Sequence, residues 1–493
     1  MDYLRKALRG TSIVFLMGII GSILSYITLV YLARFLGPHD YGLFSAVLAF
    51  VTFFLFFRDF GLPQALTKYI AEYETEGKRD YIKTVIVAVL SFELLSSFFF
   101  VFLFYLLRWF LADSYFKDPL AVNILVLLLF YIIGSTFFGT FKDILLGFQE
   151  MFIFSLSEVI KNILIFLGVI LFLSFGYGVF GPAIAYASAI LIASLILLPF
   201  VLQRMPFFSH KIIDFLPISK KVILFSIPVF ATAFGSRIIA SVDTLMLTYF
   251  RTLPEVGIYN AILPSSSIIA HVFSGALASV VFPLSAELWY KNDVPRIVQG
   301  MQLLYKYVFV IMAPFTFILV VFADFFIDLF FGLQYFPGMF AFQILLIGMF
   351  FFTVASINHN VLSGIGKPFE VTKIIFLAAF LNFVLNLILI PLYGISGAAF
   401  STFISYITTL VLSTKKVSTS LNTPVPYLQW LKVGLAILIF LSIAFLVKWS
   451  LTLNHWLEFF VAGFISTTAY ALFIYWFNII NIPEIKKFIH RVK

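Results

Sequence analysis

The sequence predicts an all-α membrane protein of about fourteen transmembrane helices, arranged as two pseudo-symmetric six-helix lobes in a V shape plus two C-terminal helices. Three observations predict it. The 493 residues are 62% hydrophobic and only 11% charged, with a mean hydropathy of +1.08, far more apolar than a water-soluble core requires. The apolar residues fall in long runs, and a run of roughly 20 residues at about 1.5 Å per residue crosses a hydrocarbon layer of about 30 Å. Short sequence matches recur roughly 215 residues apart, which is the mark of a duplicated unit.

The first apolar run, residues 11–34, follows Arg5, Lys6 and Arg9; it is too long for a secretory leader and no small-residue cleavage site follows it, so it reads as the first span. Gly37-Pro38 separates it from the second, 41–68. The next spans are 83–107, 119–141, 152–175 and 178–202, each bounded by charges or by Gly and Pro. A second set follows at 221–250, 256–286, 303–331, 336–362, 371–391 and 394–413. Ser413 to Pro426, rich in Ser and Thr with two prolines, reads as a linker to a last pair at 428–449 and 456–480. The expected domains are therefore an N-lobe over 1–204, a C-lobe over 205–414 and a helix pair over 415–493.

Gly21-Ser22 recurs as Gly235-Ser236, and Gly37-Pro38 with Tyr41-Gly42 recurs as Leu253-Pro254 with Val256-Gly257. Leu146-Gly147 matches Ser363-Gly364, and Tyr177-Gly178 with Gly181 and Ala183 matches Tyr393-Gly394 with Gly397 and Ala399. Six spans return the chain to its starting side, so the two copies keep one orientation and enclose a central route between them.

The formal charge of +9 would suggest nucleic acid on a soluble protein, but here its placement governs. Most of the 32 lysines and arginines fall in the connections on the side of the N-terminus, including Lys142, Lys220-Lys221, Lys415-Lys416 and Lys486-Lys487. The other side holds Arg34, Arg108, Lys117, Arg251 and Lys448. The positive-inside rule places both termini in the cytoplasm, in a plasma or inner membrane. No nucleic-acid partner is implied, and membrane lipids surround the chain; the basic patches follow from topology. The absence of Cys excludes thiolate chemistry and Cys-ligated zinc, and no phosphate-cradling Gly loop for ATP is present. The 66 Phe read as packing and lipid-facing residues.

Arg34-Phe-Leu-Gly-Pro38, Tyr41-Gly42 and Asp59-Phe-Gly61 resemble the opening of O-antigen-type polysaccharide-biosynthesis flippases of the multidrug/oligosaccharidyl-lipid/polysaccharide exporter superfamily. Asp243, Gly257-Ile-Tyr259, Phe282-Pro-Leu-Ser285, Leu362-Ser-Gly364 and Asn386 to Pro391 followed by Tyr393-Gly394 and Gly397-Ala-Ala399 resemble its second half. The resemblance runs over about residues 1–480. It implies a non-enzymatic transporter that carries a lipid-diphosphate-linked oligosaccharide from the cytoplasmic to the outer leaflet by alternating access, driven by an ion gradient or the membrane potential. Such a protein acts as a monomer, with other polysaccharide-assembly membrane proteins as partners and no cofactor beyond a coupling ion such as sodium. Two alternatives are a multidrug or organic-cation antiporter of the same superfamily and a membrane glycosyltransferase or polymerase. The first needs an acidic aromatic cavity and often lacks the last two spans; the second needs catalytic acids in a large external loop, and the external loops here are short.

A charge at the bilayer centre costs about 2.5 to 3.5 kcal/mol on insertion scales, so each one needs a partner, water or a task. Arg58, Asp59, Glu93, Glu158, Lys161, Arg237, Asp243, His271 and Asp324 all sit within spans. The repeat sets Phe273 or Ser274 against Arg58, Leu377 or Ala378 against Lys161, and Ile23 against Arg237, so the duplicated architecture does not require cations there. Guanidinium forks match phosphate oxygens. Arg58, Arg237, Lys161 and His271 are accordingly the candidate substrate-binding residues, and Asp59, Glu93 and Glu158 the proton-carrying or gating candidates. The plainer readings are local: Glu158 and Lys161, three apart, pair on one helix face, Arg58 is neutralised by Asp59, and His271 and Glu93 pack with hydrogen bonds. Asn382 and Asn386, four apart, project from one face and, with Asp243 and Thr402, supply oxygen ligands suited to a small cation. The set resembles the sodium site of lipid II flippases, which adds the backbone carbonyl at Ala398; Asn386 stands where that pattern has a second Asp. The bland reading is two asparagines bridging helices.

Overall fold

The computed structural model describes residues 2–424, 427–450 and 454–477, with the side chains of 2–12, 276 and 429 left aside. The basic C-terminal tail with Lys486-Lys487 lies outside the described residues. The chain divides into two compact units, Met1–Ala261 and Ile262–Lys493.

The first unit contains α1 (Asp2–Asp59), α2 (Leu62–Thr75), α3 (Arg79–Phe110), α4 (Ala121–Gly147), α5 (Met151–Ser174), α6 (Phe180–Arg204) and α7 (Phe215–Phe250), and it reaches into α8 (Leu253–Tyr290). The rest of α8 opens the second unit, followed by α9 (Val294–Val321), α10 (Ala323–Phe330), α11 (Met339–Gly364), α12 (Pro368–Leu421), α13 (Tyr427–Ser450) and α14 (His455–Trp476). Twelve helices among the described residues are long and apolar enough to cross a membrane. Two of them, Ile13–Asp59 with 47 residues and Pro368–Leu421 with 54, are each long enough for two crossings. Both bend at a glycine: Gly37 (φ 73, ψ 173) before Pro38, and Gly394 (φ 57, ψ −132) after Pro391. Counting these twice recovers the fourteen expected crossings.

Several boundaries differ from the sequence reading. The second span stops at Asp59, because Phe60 and Gly61 adopt positive φ, and residues 62–75 form a separate amphipathic helix. Its buried face, Leu62, Ala65, Leu66, Tyr69, Ile70 and Tyr73, recurs every third or fourth residue and packs into the core of this unit. The fourth span does not end at residue 141: α4 continues to Gly147 and carries Lys142, read above as a loop residue, inside the helix. The ninth ends at Val321 and α10 is a separate short helix. Ser413 to Leu421, expected as linker, prolongs α12.

The internal repeat appears as matched backbone contacts. A Cβ on Gly42 would lie 2.0 Å from the Leu253 carbonyl oxygen and 2.9 Å from the Gly257 nitrogen; a Cβ on Gly257 would lie 2.1 Å from the Pro38 oxygen and 2.9 Å from the Gly42 nitrogen. Within the first unit the two matched glycines thus face one another reciprocally. The other matched glycines touch matched neighbours. Gly147 abuts Ile70 as Gly364 abuts Ser285, and Gly181 abuts Leu173 as Gly397 abuts Leu389.

Candidate functional site

In the first unit, the span charges other than Asp243 lie where the last turn of α1 meets α3, α4, α5 and α7. Arg58 is 5% exposed and fully engaged. Its Nε and Nη2 donate to Asp59 Oδ1 at 2.8 and 2.5 Å, and its Nη1 donates to Ile132 O, Ser135 Oγ and Thr136 Oγ1 at 3.1, 2.6 and 3.1 Å. α4 supplies these acceptors because Ser135, Thr136 and Thr140 lie along one face, the latter two one turn apart. Thr136 shares a 2.7 Å bond with Ser97 of α3, and Thr140 donates to Glu93 Oε2 at 2.7 Å. Glu93, 3% exposed, is thereby joined through α4 to the arginine.

Two residues further along α4, Lys142 reaches Glu158 of α5 at 2.6 Å, and Lys161 reaches the other oxygen of the same carboxylate at 2.5 Å. Both ammoniums also lie over the Phe138 ring, at 6.0 and 5.4 Å. The i,i+3 pair expected from the sequence forms, with Lys142 added to it.

Arg237 differs from the others. Phe56 and Phe60 stack on Phe230 with ring centroids 4.8 Å apart, and Phe56 lies 6.2 Å from Phe234. This ladder lays α7 along the end of α1 and aims Arg237, one turn beyond Phe234, toward the polar cluster. Asp59 and Tyr131 are among the ionisable groups near it. Yet its Nε is buried and makes no hydrogen bond among the described residues, and no ion pair to it forms there. A buried guanidinium nitrogen without an acceptor forfeits about 1 to 3 kcal/mol or more of desolvation, which an incoming anion would restore.

The structure brings together Arg58, Asp59 and Glu93, joins Glu158 to Lys161, and leaves Arg237 beside them. His271 lies in the second unit, exposed, with Nδ1 2.8 Å from the Ser267 carbonyl of its own helix. Sequence reasoning missed Lys142, Ser135, Thr136 and Thr140. The hydroxyls carry a signal in their spacing along one face, whereas Lys142 was hidden by a helix boundary drawn one turn too early.

The oxygen set proposed for a small cation is distributed over both units. In the first, the buried Asp243 carboxylate accepts from Tyr259 Oη at 2.5 Å. In the second, Asn386 Nδ2 donates to Asn382 Oδ1 at 3.1 Å and Asn382 Nδ2 donates to Thr402 Oγ1 at 3.3 Å, with Ala398 fully buried beside them. The α12 residues therefore form a hydrogen-bonded chain that leaves the Asn386 Oδ1 atom buried without a hydrogen bond among the described residues. An ion bound by Asn382 Oδ1 would have to share that oxygen with the Asn386 amide. Among the described residues no three His, Asp or Glu side chains converge as metal ligands.

Long apolar helices built twice over, with charges held inside the spans, define a multi-pass membrane transport protein. The family model for polysaccharide biosynthesis proteins matches residues 7–289, more than half of the chain, and the chain belongs to that family. It is 29% identical, over 100% of its length and 99% of the relative's, to an uncharacterized membrane protein of Methanocaldococcus jannaschii. It is 24% identical to a probable low-salt glycan biosynthesis flippase of Haloferax volcanii, over 48% of this chain and 50% of that one. Among solved structures, a lipid II flippase, MurJ, in an inward closed conformation superimposes with a TM-score of 0.78 at 18% identity, over 95% of this chain and 99% of that one. An inward-facing multidrug resistance transporter of the MATE family, in the MOP superfamily, gives 0.68 at 14% identity, over 84% and 100%. These likenesses fix the fold.

Proposed function

We propose that this chain is a flippase of the MOP superfamily that carries a lipid-diphosphate-linked oligosaccharide from the cytoplasmic to the outer leaflet by alternating access. The carrying observation is Arg237, a membrane-embedded guanidinium whose Nε is buried without an acceptor. A diphosphate moved through a low-dielectric layer needs a cation whose hydrogen-bond donors are unspent, and a guanidinium fork meets phosphate oxygens in two directions. Arg58 has the opposite character. Clamped by Asp59 and by three oxygens of α4, it fixes that carboxylate in place and contributes no net charge, which leaves Arg237 as the anion receptor.

The names of the relatives support this reading, since one is described as a glycan biosynthesis flippase and a structural neighbour as a lipid II flippase. The distribution of lysine and arginine supports cytoplasmic termini. The chain works as a monomer, alongside other polysaccharide-assembly membrane proteins, and an ion gradient or the membrane potential supplies the driving force.

The test is a proteoliposome assay in which a labelled lipid-diphosphate oligosaccharide becomes accessible to an external glycan-modifying reagent only after crossing. Wild-type protein should expose it. Arg237→Ala should slow exposure at least tenfold and Arg237→Lys should be intermediate. Repeating the assay with and without a sodium gradient reads the coupling ion, and Asp243→Asn should blunt any sodium dependence. If empty vesicles and wild type behave alike over several lipid carriers, while the same protein exports an organic cation, the antiporter reading replaces this one.

A further inference from the structure

A crevice of about 290 Å³ is lined by both arms of α12 at the end away from the Gly394 bend. Its polar lining is Lys373 from one arm and Lys415 and Lys416 from the other, and its apolar floor is Ile374 and Leu412, with Leu377, 51% exposed, also lining it. Glu370 pairs with Lys373 at 3.2 Å and with Lys416 at 3.0 Å. The Lys415 ammonium has no carboxylate partner among the described residues. The crevice therefore holds three ammoniums against one carboxylate, above an apolar floor.

Its depth follows from the helix rise. Lys373 and Lys415 each lie about 20 residues from Gly394, which at about 1.5 Å per residue is about 30 Å, the thickness of the hydrocarbon layer. The lysines thus sit at the headgroup level when the bend sits at the opposite interface. Phe369, beside Lys373, is 65% exposed with the ammonium 4.8 Å from its ring centre. Further along the arms, Leu377, Phe380 and Val411 are exposed, apolar surface that acyl chains would cover.

We propose that this crevice binds the phosphate headgroup of an anionic phospholipid, with Lys373, Lys415 and Lys416 around the phosphate and an acyl chain running down past Leu377. Net positive charge at the rim complements the phosphate, and the apolar floor rejects a free, fully hydrated anion. Glu370 sets the strength: it holds two of the three lysines in place and partly neutralises them. This lipid is a resident of the membrane, distinct from the one transported, so the inference stands apart from the proposed transport activity.

Binding to the purified full-length chain in detergent, followed by native mass spectrometry, tests it. Phosphatidylglycerol should bind at least tenfold more tightly than phosphatidylcholine. The triple variant Lys373→Ala, Lys415→Ala, Lys416→Ala should lose that preference, the triple Lys→Arg variant should keep it, and Glu370→Gln should strengthen it. Lys220→Ala, in an exposed basic patch on α7, should leave it unchanged and so controls for bulk charge. Monodispersity and helical content of each variant show that loss of binding is not loss of fold. Equal affinity for the two phospholipids in wild type, or a preference that survives in the triple Ala variant, overturns the proposal. So does a triple Ala variant that loses affinity for a polyprenyl diphosphate while phosphatidylglycerol binding is untouched, since the crevice would then belong to the transported lipid.

Discussion

α4 and α11 occupy equivalent places in the two halves of the internal repeat, ending at the matched glycines Gly147 and Gly364, yet they solve the problem of buried polarity in opposite ways. α4 collects charge: its hydroxyls hold Arg58 and Glu93, and its Lys142 holds Glu158. At the corresponding turn α11 carries Asn358, which accepts from Tyr305 and donates to Ser413 and Thr414 at 2.9 and 3.0 Å. That network contains no ion. The scaffold therefore closes with neutral amides and hydroxyls, and the charges of the first half are an addition that the fold itself does not call for. In the second half the prominent ion pair is Lys448 with Asp324, at 2.7 and 2.8 Å, which fastens α13 to α10.

The widest separation between the two halves should come from Arg58→Ala. Removing the guanidinium strands the buried α4 hydroxyls and leaves the Asp59 carboxylate, 33% exposed, without its partner, and loss of hydrogen bonds to a charged group costs about 1.5 to 3 kcal/mol. The neutral counterpart, Tyr305→Phe, should cost about 0.6 to 1.7 kcal/mol, the range of hydrogen bonds between membrane helices. Unfolding of both variants in detergent, followed by helical signal against denaturant, measures the gap. Equal losses would mean that the charged cluster is ordinary packing.

Substitution at the reciprocal glycines sharpens the idea of a duplicated scaffold. Gly42→Ala and Gly257→Ala each push a methyl against a backbone carbonyl on the other copy, where no side chain can swing away. Each should cost about 1 to 3 kcal/mol by overpacking. Because both relieve themselves by moving the same two helices apart, the double variant should cost measurably less than the sum of the singles. Strict additivity would break the reciprocal contact.

Much of this scaffold was legible beforehand, and the reason is physical. In a membrane, apolar runs of sufficient length must become helices because no water satisfies the backbone, so the crossings could be counted from hydropathy alone. The glycine matches were legible because close backbone approach tolerates no other residue. What hid was whatever depends on distant partners or on the ends of helices. Nothing local shows that Arg58 is gripped by residues more than 70 positions away, at sequence separations of 74 to 78. Lys142 was misplaced because a basic residue after an apolar run looks like a loop, whereas a lysine long enough to reach Glu158 can stay in the helix. The helical bends at Gly37 and Gly394 concealed that two pairs of spans are nearly continuous.

The smallest effect should be at Lys161, and it bears on which cations meet substrate. Glu158 is gripped from two sides, so Lys161→Ala leaves its carboxylate paired with Lys142 at 2.6 Å. The stability change should then stay within the range of about 0.2 to 1 kcal/mol typical of a partly exposed pair. Transport should fall less than tenfold, because Lys161 spends its charge on Glu158 whereas Arg237 forms no ion pair among the described residues. The proteoliposome assay reads the difference between Lys161→Ala and Arg237→Ala directly. A loss at Lys161 as large as at Arg237, with stability unchanged, would place both cations on the substrate and make Glu158 the group that releases Lys161 to it.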